Sequence, residues 1–178
     1  TLQAETASQP VYLYVKKGSI SSTGMTVRGS GSSDTNRIFV TVDPTDSGAA
    51  HIITSTIYMS SKTYLTFSGL TIQNVTSGPG LQMDDNSGYI TISNCTFTNI
   101  YADAITHWTS NNYAPGIIIE DTTITNTGVS NTGISNGIFF KGHDIIIRRS
   151  TIMNAGQDAA ENNKSHGIYI DQGVTSAT

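Results

Sequence analysis

Charge is scarce in this chain of 178 residues: only 12% are Asp, Glu, Lys or Arg, and the formal net charge is −4. The shortage of basic residues argues against a nucleic-acid partner, because phosphate contacts need clustered Lys and Arg. No apolar run approaches the ~18 residues of a membrane-spanning helix, so no membrane span is expected. A single cysteine, Cys95, excludes an internal disulfide and is compatible with any compartment.

Helical periodicity is also missing, since no stretch of ten or more residues repeats its apolar positions every three to four residues. The polar residues are mainly Ser, Thr, Asn and Gly, and 37% of the chain is hydrophobic, which is too much for a disordered chain. This composition predicts an all-β protein with many turns. Low charge with much Thr and Asn is typical of extracellular proteins, and we expect a secreted or cell-surface protein.

Four ten-residue stretches resemble one another: LTFSGLTIQN, ITISNCTFTN, IIIEDTTITN and IIIRRSTIMN. They end at Asn74, Asn99, Asn126 and Asn154, at spacings of 25, 27 and 28 residues. Apolar residues alternate within each copy, which predicts strands with one buried face. The inward columns are Leu65, Ile90, Ile117, Ile145; Phe67, Ile92, Ile119, Ile147; a smaller column Leu70, Cys95, Thr122, Ser150; and Ile72, Phe97, Ile124, Ile152.

A second short strand follows each copy, at residues 80–83, 104–107, 137–140 and 167–170. Because no helix separates the strands, a sheet with helical crossovers is disfavoured, and equivalent strands must stack on one another. The repeat length favours a right-handed parallel β-helix of about six or seven coils.

The closing asparagines have a structural explanation. Asn tolerates the left-handed conformation that a corner between sheets requires, and stacked Asn amides can hydrogen-bond along a column. We therefore predict an internal asparagine ladder. Residues 1–178 are expected to form one β-helix domain, with residues 1–10 as an N-terminal cap. Residues 167–173 begin another coil without a following cap pattern, which favours a fragment of a longer protein or a partner that covers that end.

The phrases YLTFSGLTIQN, YITISNCTFTN and SHGIYID, with VYLYVKKGSI and RIFVTVDP, resemble the pectate-lyase-like right-handed parallel β-helix superfamily over residues 11–173. The resemblance implies this fold and an extracellular polysaccharide as partner, while the superfamily contains both enzymes and non-enzymatic proteins. Ser165-His166-Gly167 matches only part of the Gly-His-Gly signature of its polygalacturonase-like branch, and Asp103-Ala104 is not that branch's paired acid. Its lyase branches use a Lys or Arg base, often with Ca²⁺, and no distinctive lyase motif is intact here.

In a β-helix the loops that follow equivalent strands form one surface. A lyase needs a base and a positive group there, and the candidates for the catalytic base are Lys141, His143 and His166, with Arg148 or Arg149 as the positive group. Flat aromatic faces bind sugar rings, so Trp108 and Tyr113 are substrate-binding candidates. Asp103 and Asp171, in turns on the same surface, are the polar substrate-binding candidates. Asp84 and Asp85 are candidate ligands for Ca²⁺, although Asp-Asp-Asn is also an ordinary turn sequence.

Structural explanations stand beside these functional ones. Alignment of the repeats places Glu120 beside Arg148 and Asp121 beside Arg149, which predicts surface salt bridges. His107 falls in an inward column, where a buried imidazole is as well explained by packing as by function. We expect a lyase that cleaves an anionic polysaccharide by β-elimination, and the first alternative is a non-catalytic carbohydrate-binding or surface β-helix. The second is ice binding by an outward threonine column: Thr71, Thr96, Thr123 and Thr151.

Overall fold

The computed structural model describes residues 6–16, 18–20, 24–46, 51–109, 115–129, 133–156 and 165–171. Within these ranges the chain forms twenty strands and no helix. Three parallel sheets contain six strands each, and a small sheet pairs β1 (Thr6–Ala7) with β5 (Ser30–Gly31). None of the described residues therefore belongs to a helix long and apolar enough to cross a membrane.

The chain visits the three large sheets in turn, and each turn adds one strand to each of them. Sheet 1 contains β2 (Val11–Val15), β6 (Ile38–Val42), β9 (Thr63–Ser68), β12 (Gly88–Ser93), β15 (Ile117–Glu120) and β18 (Ile145–Arg148). Sheet 2 contains β3 (Gly18–Ile20), β7 (His51–Ile53), β10 (Thr71–Val75), β13 (Thr96–Ile100), β16 (Thr123–Thr127) and β19 (Thr151–Met153). Sheet 3 contains β4 (Met25–Thr26), β8 (Ile57–Ser60), β11 (Leu81–Asp84), β14 (Ile105–Trp108), β17 (Ile138–Phe140) and β20 (Ile168–Ile170).

The register of the strands confirms the predicted β-helix. Ile90 pairs with Leu65 on one side and with Ile117 on the other, so each predicted column stacks residue on residue. The inward columns fill one continuous core, in which Leu65, Phe67 and Phe97 are almost completely buried. Parallel strands at a spacing of roughly 4.8 Å bring side chains of equal type into contact, and this contact explains the repeated apolar columns.

The ten-residue repeat consists of two strands joined by a corner. The corner in ITISNCTFTN lies at Asn94, whose φ is +52°, between β12 and β13. The same left-handed conformation recurs at Gly69, Asp121 and Arg149 in the neighbouring coils. The small third column follows this corner, and Cys95 there is only 2% exposed.

The asparagine ladder is confirmed, but it lies on the surface and not in the interior. The Nδ2 of Asn99 donates to the Oδ1 of Asn74 at 3.1 Å, and Asn126 donates to Asn99 at 3.2 Å and accepts from Asn154 at 3.4 Å. All four residues have φ between +49° and +54°, as expected for a corner. This conformation turns the side chains outward: three are exposed and Asn126 is half-buried.

The two ends of the described coil stack differ. At the first coil, β1 pairs with β5, and Ala7 packs against the core. At the last coil, Ile168 and Ile170 remain 43% and 49% exposed, although their equivalents one coil earlier, Ile138 and Phe140, are buried. The core cross-section is therefore less covered at β20 than anywhere in the preceding coils.

Candidate functional site

The outer face of sheet 3 carries a row of aromatic rings. Strand residues alternate in direction, so Phe139 and Tyr169 point outward from neighbouring coils while Phe140 points into the core. The rings of Trp108 and Phe139 stack at 5.5 Å with 16° between their planes, and Phe139 and Tyr169 follow at 5.6 Å. Trp108 is 51% exposed, so the row presents a broad apolar surface to solvent.

A cavity of about 500 Å³ lies beside this row. Its walls are formed by Asp103, Thr106, Trp108, Ile134, Asn136, Phe139, His166 and Tyr169. This volume lies within the range of known small-molecule sites, and a lining of aromatic surface with a few converging polar groups is typical of them. The cavity therefore brings together three of the predicted site residues, namely Asp103, Trp108 and His166.

One wall of the cavity is a polar column that precedes the strands of sheet 3. Asp103, Asn136 and His166 each stand immediately before the Ala or Gly that leads into β14, β17 or β20. The backbone N–H of Gly137 donates to the carbonyl of His166 at 3.0 Å, and that of His166 donates to the Oδ1 of Asn136 at the same distance. Asn136 thus links the segments that carry the two titratable members of the column.

The carboxylate of Asp103 is held by three hydrogen bonds. Its Oδ1 accepts from both the backbone N–H and the Nδ2 of Asn136, and its Oδ2 accepts from the hydroxyl of Thr106 at 2.7 Å. Burial raises the pKa of the Asp103 carboxyl, and these hydrogen bonds oppose the rise only in part. The group is consequently fixed in position and retains a proton to higher pH than a carboxyl in water.

Lys141 and Asp171 lie at the opposite edge of the same face, after the strands. The ammonium of Lys141 stands 5.1 Å from the ring centre of Trp108, in cation–π contact. The backbone N–H of Asp171 donates to the carbonyl of Phe140, which places Asp171 one coil beyond Lys141. Asp84 pairs with Trp108 on the other side, so the structure joins Asp84, Trp108, Lys141 and Asp171 in one row.

Other predicted residues lie outside the cavity. The imidazole Nδ1 of His143 is 2.8 Å from a carboxylate oxygen of Asp144, in the turn before β18. The carboxylate of Asp84 accepts from Gln82, and that of Asp85 from Ser60. Among the described residues, no group of three or more His, Cys, Asp or Glu side chains could hold a metal ion. Tyr113 lies outside the described residues.

The arginines form the predicted salt bridges. Arg148 contacts Glu120 at 2.6 Å, and Arg149 binds both oxygens of Asp121 at 2.7 Å. Both pairs lie at the corner between sheets 1 and 2, so these arginines are engaged away from the cavity on sheet 3.

His107 faces inward, as its column predicts, and is completely buried. Its Nδ1 lies 2.6 Å from the carbonyl oxygen of Lys141, and its Nε2 lies 3.1 Å from that of Ser87. Burial lowers the pKa of this imidazole. The neutral imidazole has a single N–H, so it donates to one of these two carbonyls, in the turn that carries Lys141 or in the turn after β11.

Sequence reasoning missed Phe139, Tyr169, Asn136 and Thr106. The two aromatic residues follow from the register of the strands: counting outward positions in GIFF and GIYI leads to them at once. Asn136 would follow from comparing the residues just before each leading Gly or Ala, a column that contains Asp103 and His166.

The chain matches no family model, no curated protein and no solved structure.

Proposed function

We propose that this protein is an extracellular polysaccharide-active protein and that it binds a sugar chain along the outer face of sheet 3. The aromatic row of Trp108, Phe139 and Tyr169 beside the cavity carries this proposal. Pyranose rings present apolar C–H faces that stack on aromatic rings, while their hydroxyls need polar partners at the edge. The Asp103–Asn136–His166 column supplies such partners in the same cavity, and the resemblance to the pectate-lyase-like superfamily points the same way.

The reaction that fits best is β-elimination from an anionic polysaccharide. This reaction removes the proton next to a carboxylate, and it needs a base together with a positive group for the charge that develops. His166 lies in the cavity and is our candidate for the base. Lys141, next to Trp108, can contact the carboxylate of a bound uronate. His143 is a poorer candidate, because it lies in the turn before β18 next to Asp144.

A direct test is incubation of the protein with polygalacturonate, alginate and hyaluronan while the ultraviolet absorbance of unsaturated products is followed. We expect absorbance to rise with at least one of them and the His166→Gln variant to be inactive. Parallel reactions with added Ca²⁺ and with a chelator test whether Asp84 and Asp85 contribute a cation. No absorbance change with any polymer would reject the lyase reaction.

Retention of a polymer without cleavage would instead favour the non-catalytic alternative. Native gels that contain each polysaccharide detect binding, because a protein that binds the polymer migrates more slowly whether or not it cleaves it. Retardation without a rise in absorbance identifies binding without cleavage. Absence of both retardation and cleavage would overturn the proposed function.

The threonine column keeps ice binding as a second candidate. Thr71, Thr96, Thr123 and Thr151 are in register on sheet 2, and the hydroxyl of Thr125 donates to that of Thr98 at 3.0 Å in the next column. Gln73 and Met153 interrupt that second column. Faceted ice growth with thermal hysteresis would support this function, and rounded crystals would exclude it.

A further inference from the structure

We propose that Asp103 is the proton donor to the glycosidic oxygen and that Asn136 positions it. This inference rests on the proposed polysaccharide cleavage, and it assigns the second half of the reaction, which a base alone leaves open. When the bond from the sugar to its neighbour breaks, the leaving oxygen becomes an alkoxide unless an acid protonates it. Among the described residues that line the cavity, Asp103 is the only one with a carboxyl group.

The hydrogen bonds of Asp103 decide which oxygen carries the proton. Oδ1 accepts from two N–H groups of Asn136, and neither group can accept a hydrogen bond in return. A proton on the carboxyl must therefore lie on Oδ2. Oδ2 contacts the Thr106 hydroxyl at 2.7 Å, which can rotate to accept or donate. Asn136 thus fixes the carboxyl so that its acidic oxygen is the one left available to a ligand.

The stacking of the coils sets the separation of acid and base. Asp103 and His166 occupy equivalent positions two coils apart, with Asn136 between them. At roughly 4.8 Å per coil, their backbones are about 10 Å apart, a distance that one sugar unit bound along the column can span. Both side chains line one cavity, so a ring held there has the base at one side and the acid at the other.

The step balances without any further reactant. The imidazole of His166 takes the proton from the carbon next to the uronate carboxylate, and the electrons of that C–H bond form a carbon–carbon double bond. The bond from the adjacent ring carbon to the glycosidic oxygen breaks, and this oxygen takes the proton from Oδ2 of Asp103. The products are an unsaturated sugar and a free hydroxyl, and a proton exchanged through solvent restores both side chains.

Burial supports this assignment, because it raises the pKa of the Asp103 carboxyl and so keeps the acid form in a wider pH range. In the described part of the chain, the other titratable groups that line the cavity are His166 and Tyr169, and Lys141 lies over Trp108 at its edge. Loss of the Asp103 proton should therefore limit the rate as pH rises.

The test uses Asp103→Asn, which can keep all three hydrogen bonds because its Oδ1 accepts from Asn136 and its Nδ2 donates to Thr106. The substrate is whichever of polygalacturonate, alginate and hyaluronan the unaltered protein cleaves fastest. We expect cleavage by the variant to fall about 100-fold, while its retardation in gels containing that polymer changes less than about threefold. The fall in rate at high pH should disappear in the variant.

A second substrate separates acid catalysis from a structural role. In the methyl 4-deoxy-4-fluoro derivative of the same uronate, fluoride leaves without a proton. Fluoride release by Asp103→Asn should therefore stay near that of the unaltered protein, whereas His166→Gln should lose it. Equal loss with both substrates, or unchanged polymer cleavage, would overturn the role of Asp103. If the unaltered protein cleaves no polymer, the proposed reaction itself fails and the acid assignment fails with it.

Discussion

Removal of the Trp108 ring gives a quantitative test of the proposed binding face. A Trp side chain has about 250 Å² of accessible surface, and Trp108 is 51% exposed, so about 125 Å² remains for a ligand. A sugar ring that covers two-thirds of this area removes about 80 Å² of apolar surface from water. At about 25 cal/mol per Å², the stack contributes ~2 kcal/mol, or a ~30-fold change in Kd.

We therefore expect Trp108→Ala to bind the preferred polysaccharide about 30-fold more weakly, as measured by titration calorimetry with a defined oligosaccharide. The matched control is Tyr14→Ala, because Tyr14 is 50% exposed but lies on sheet 1, away from the cavity. The Tyr14→Ala variant should bind the oligosaccharide with the same affinity as the unaltered protein. Equal affinities of Trp108→Ala and the unaltered protein, or equal losses in both variants, would refute the reasoning.

Three further predictions concern the scaffold. Phe97→Ala should destabilise the fold by about 3–5 kcal/mol in urea unfolding, because the ring is 1% exposed and its loss leaves a cavity in the core. Cys95 should react with a thiol reagent only after denaturant is added, because burial raises the pKa of its thiol to about 11; rapid reaction of the native protein would contradict the packing at the corner. Burial also lowers the pKa of the His107 imidazole, although the nearby charge of Asp84 opposes this shift. As pH drops below about 6.5, His107 is therefore protonated in the unfolded chain before it is protonated in the folded protein, and the free energy of unfolding should fall. Urea midpoints at neutral and mildly acidic pH should differ less in His107→Gln than in the unaltered protein, and an undiminished difference would assign the effect to other groups.

The architecture was predictable because a β-helix repeats its packing chemistry in each coil. Leu65, Ile90 and Ile117 are apolar for the same reason, and the alternation around them gives both the strand and its buried face. Period and alternation together left few arrangements other than stacked coils. The left-handed conformation of the asparagines was predictable, but the exposure of their side chains was not. Their amides face outward and not into the core.

The residue with positive φ at the corner between sheets 1 and 2 could not be predicted, because its column has no common side-chain chemistry. Gly69, Asn94, Asp121 and Arg149 share only a positive φ, which the sequence does not display for Arg. The left-handed conformation is unfavourable for Arg149 by itself. Its side chain binds both oxygens of Asp121, which has the same conformation one coil earlier.

The candidate site was only partly predictable for a related reason. Trp108 was noticed because a Trp among polar residues is unusual, whereas Phe139 and Tyr169 look like ordinary strand residues until the register is known. Along one strand, residues that point inward belong to the core and residues that point outward belong to the candidate site. Only the register of the strands shows which residues point in which direction. The acid, the amide and the imidazole of the polar column are far apart in sequence and differ in type.

The connection from sheet 2 to sheet 3 changes length between the coils that line the cavity. The residue of the polar column lies 4 positions after the closing asparagine in the coil of Asp103, 10 positions after it in the coil of Asn136 and 12 in the coil of His166. A constant connection would stack like the strands and give a flat face. The longer connection before Asn136 contributes Ile134 to the lining of the cavity. The regular part of each coil thus holds the column in place, and the departures from regularity create the space in which a ligand can bind.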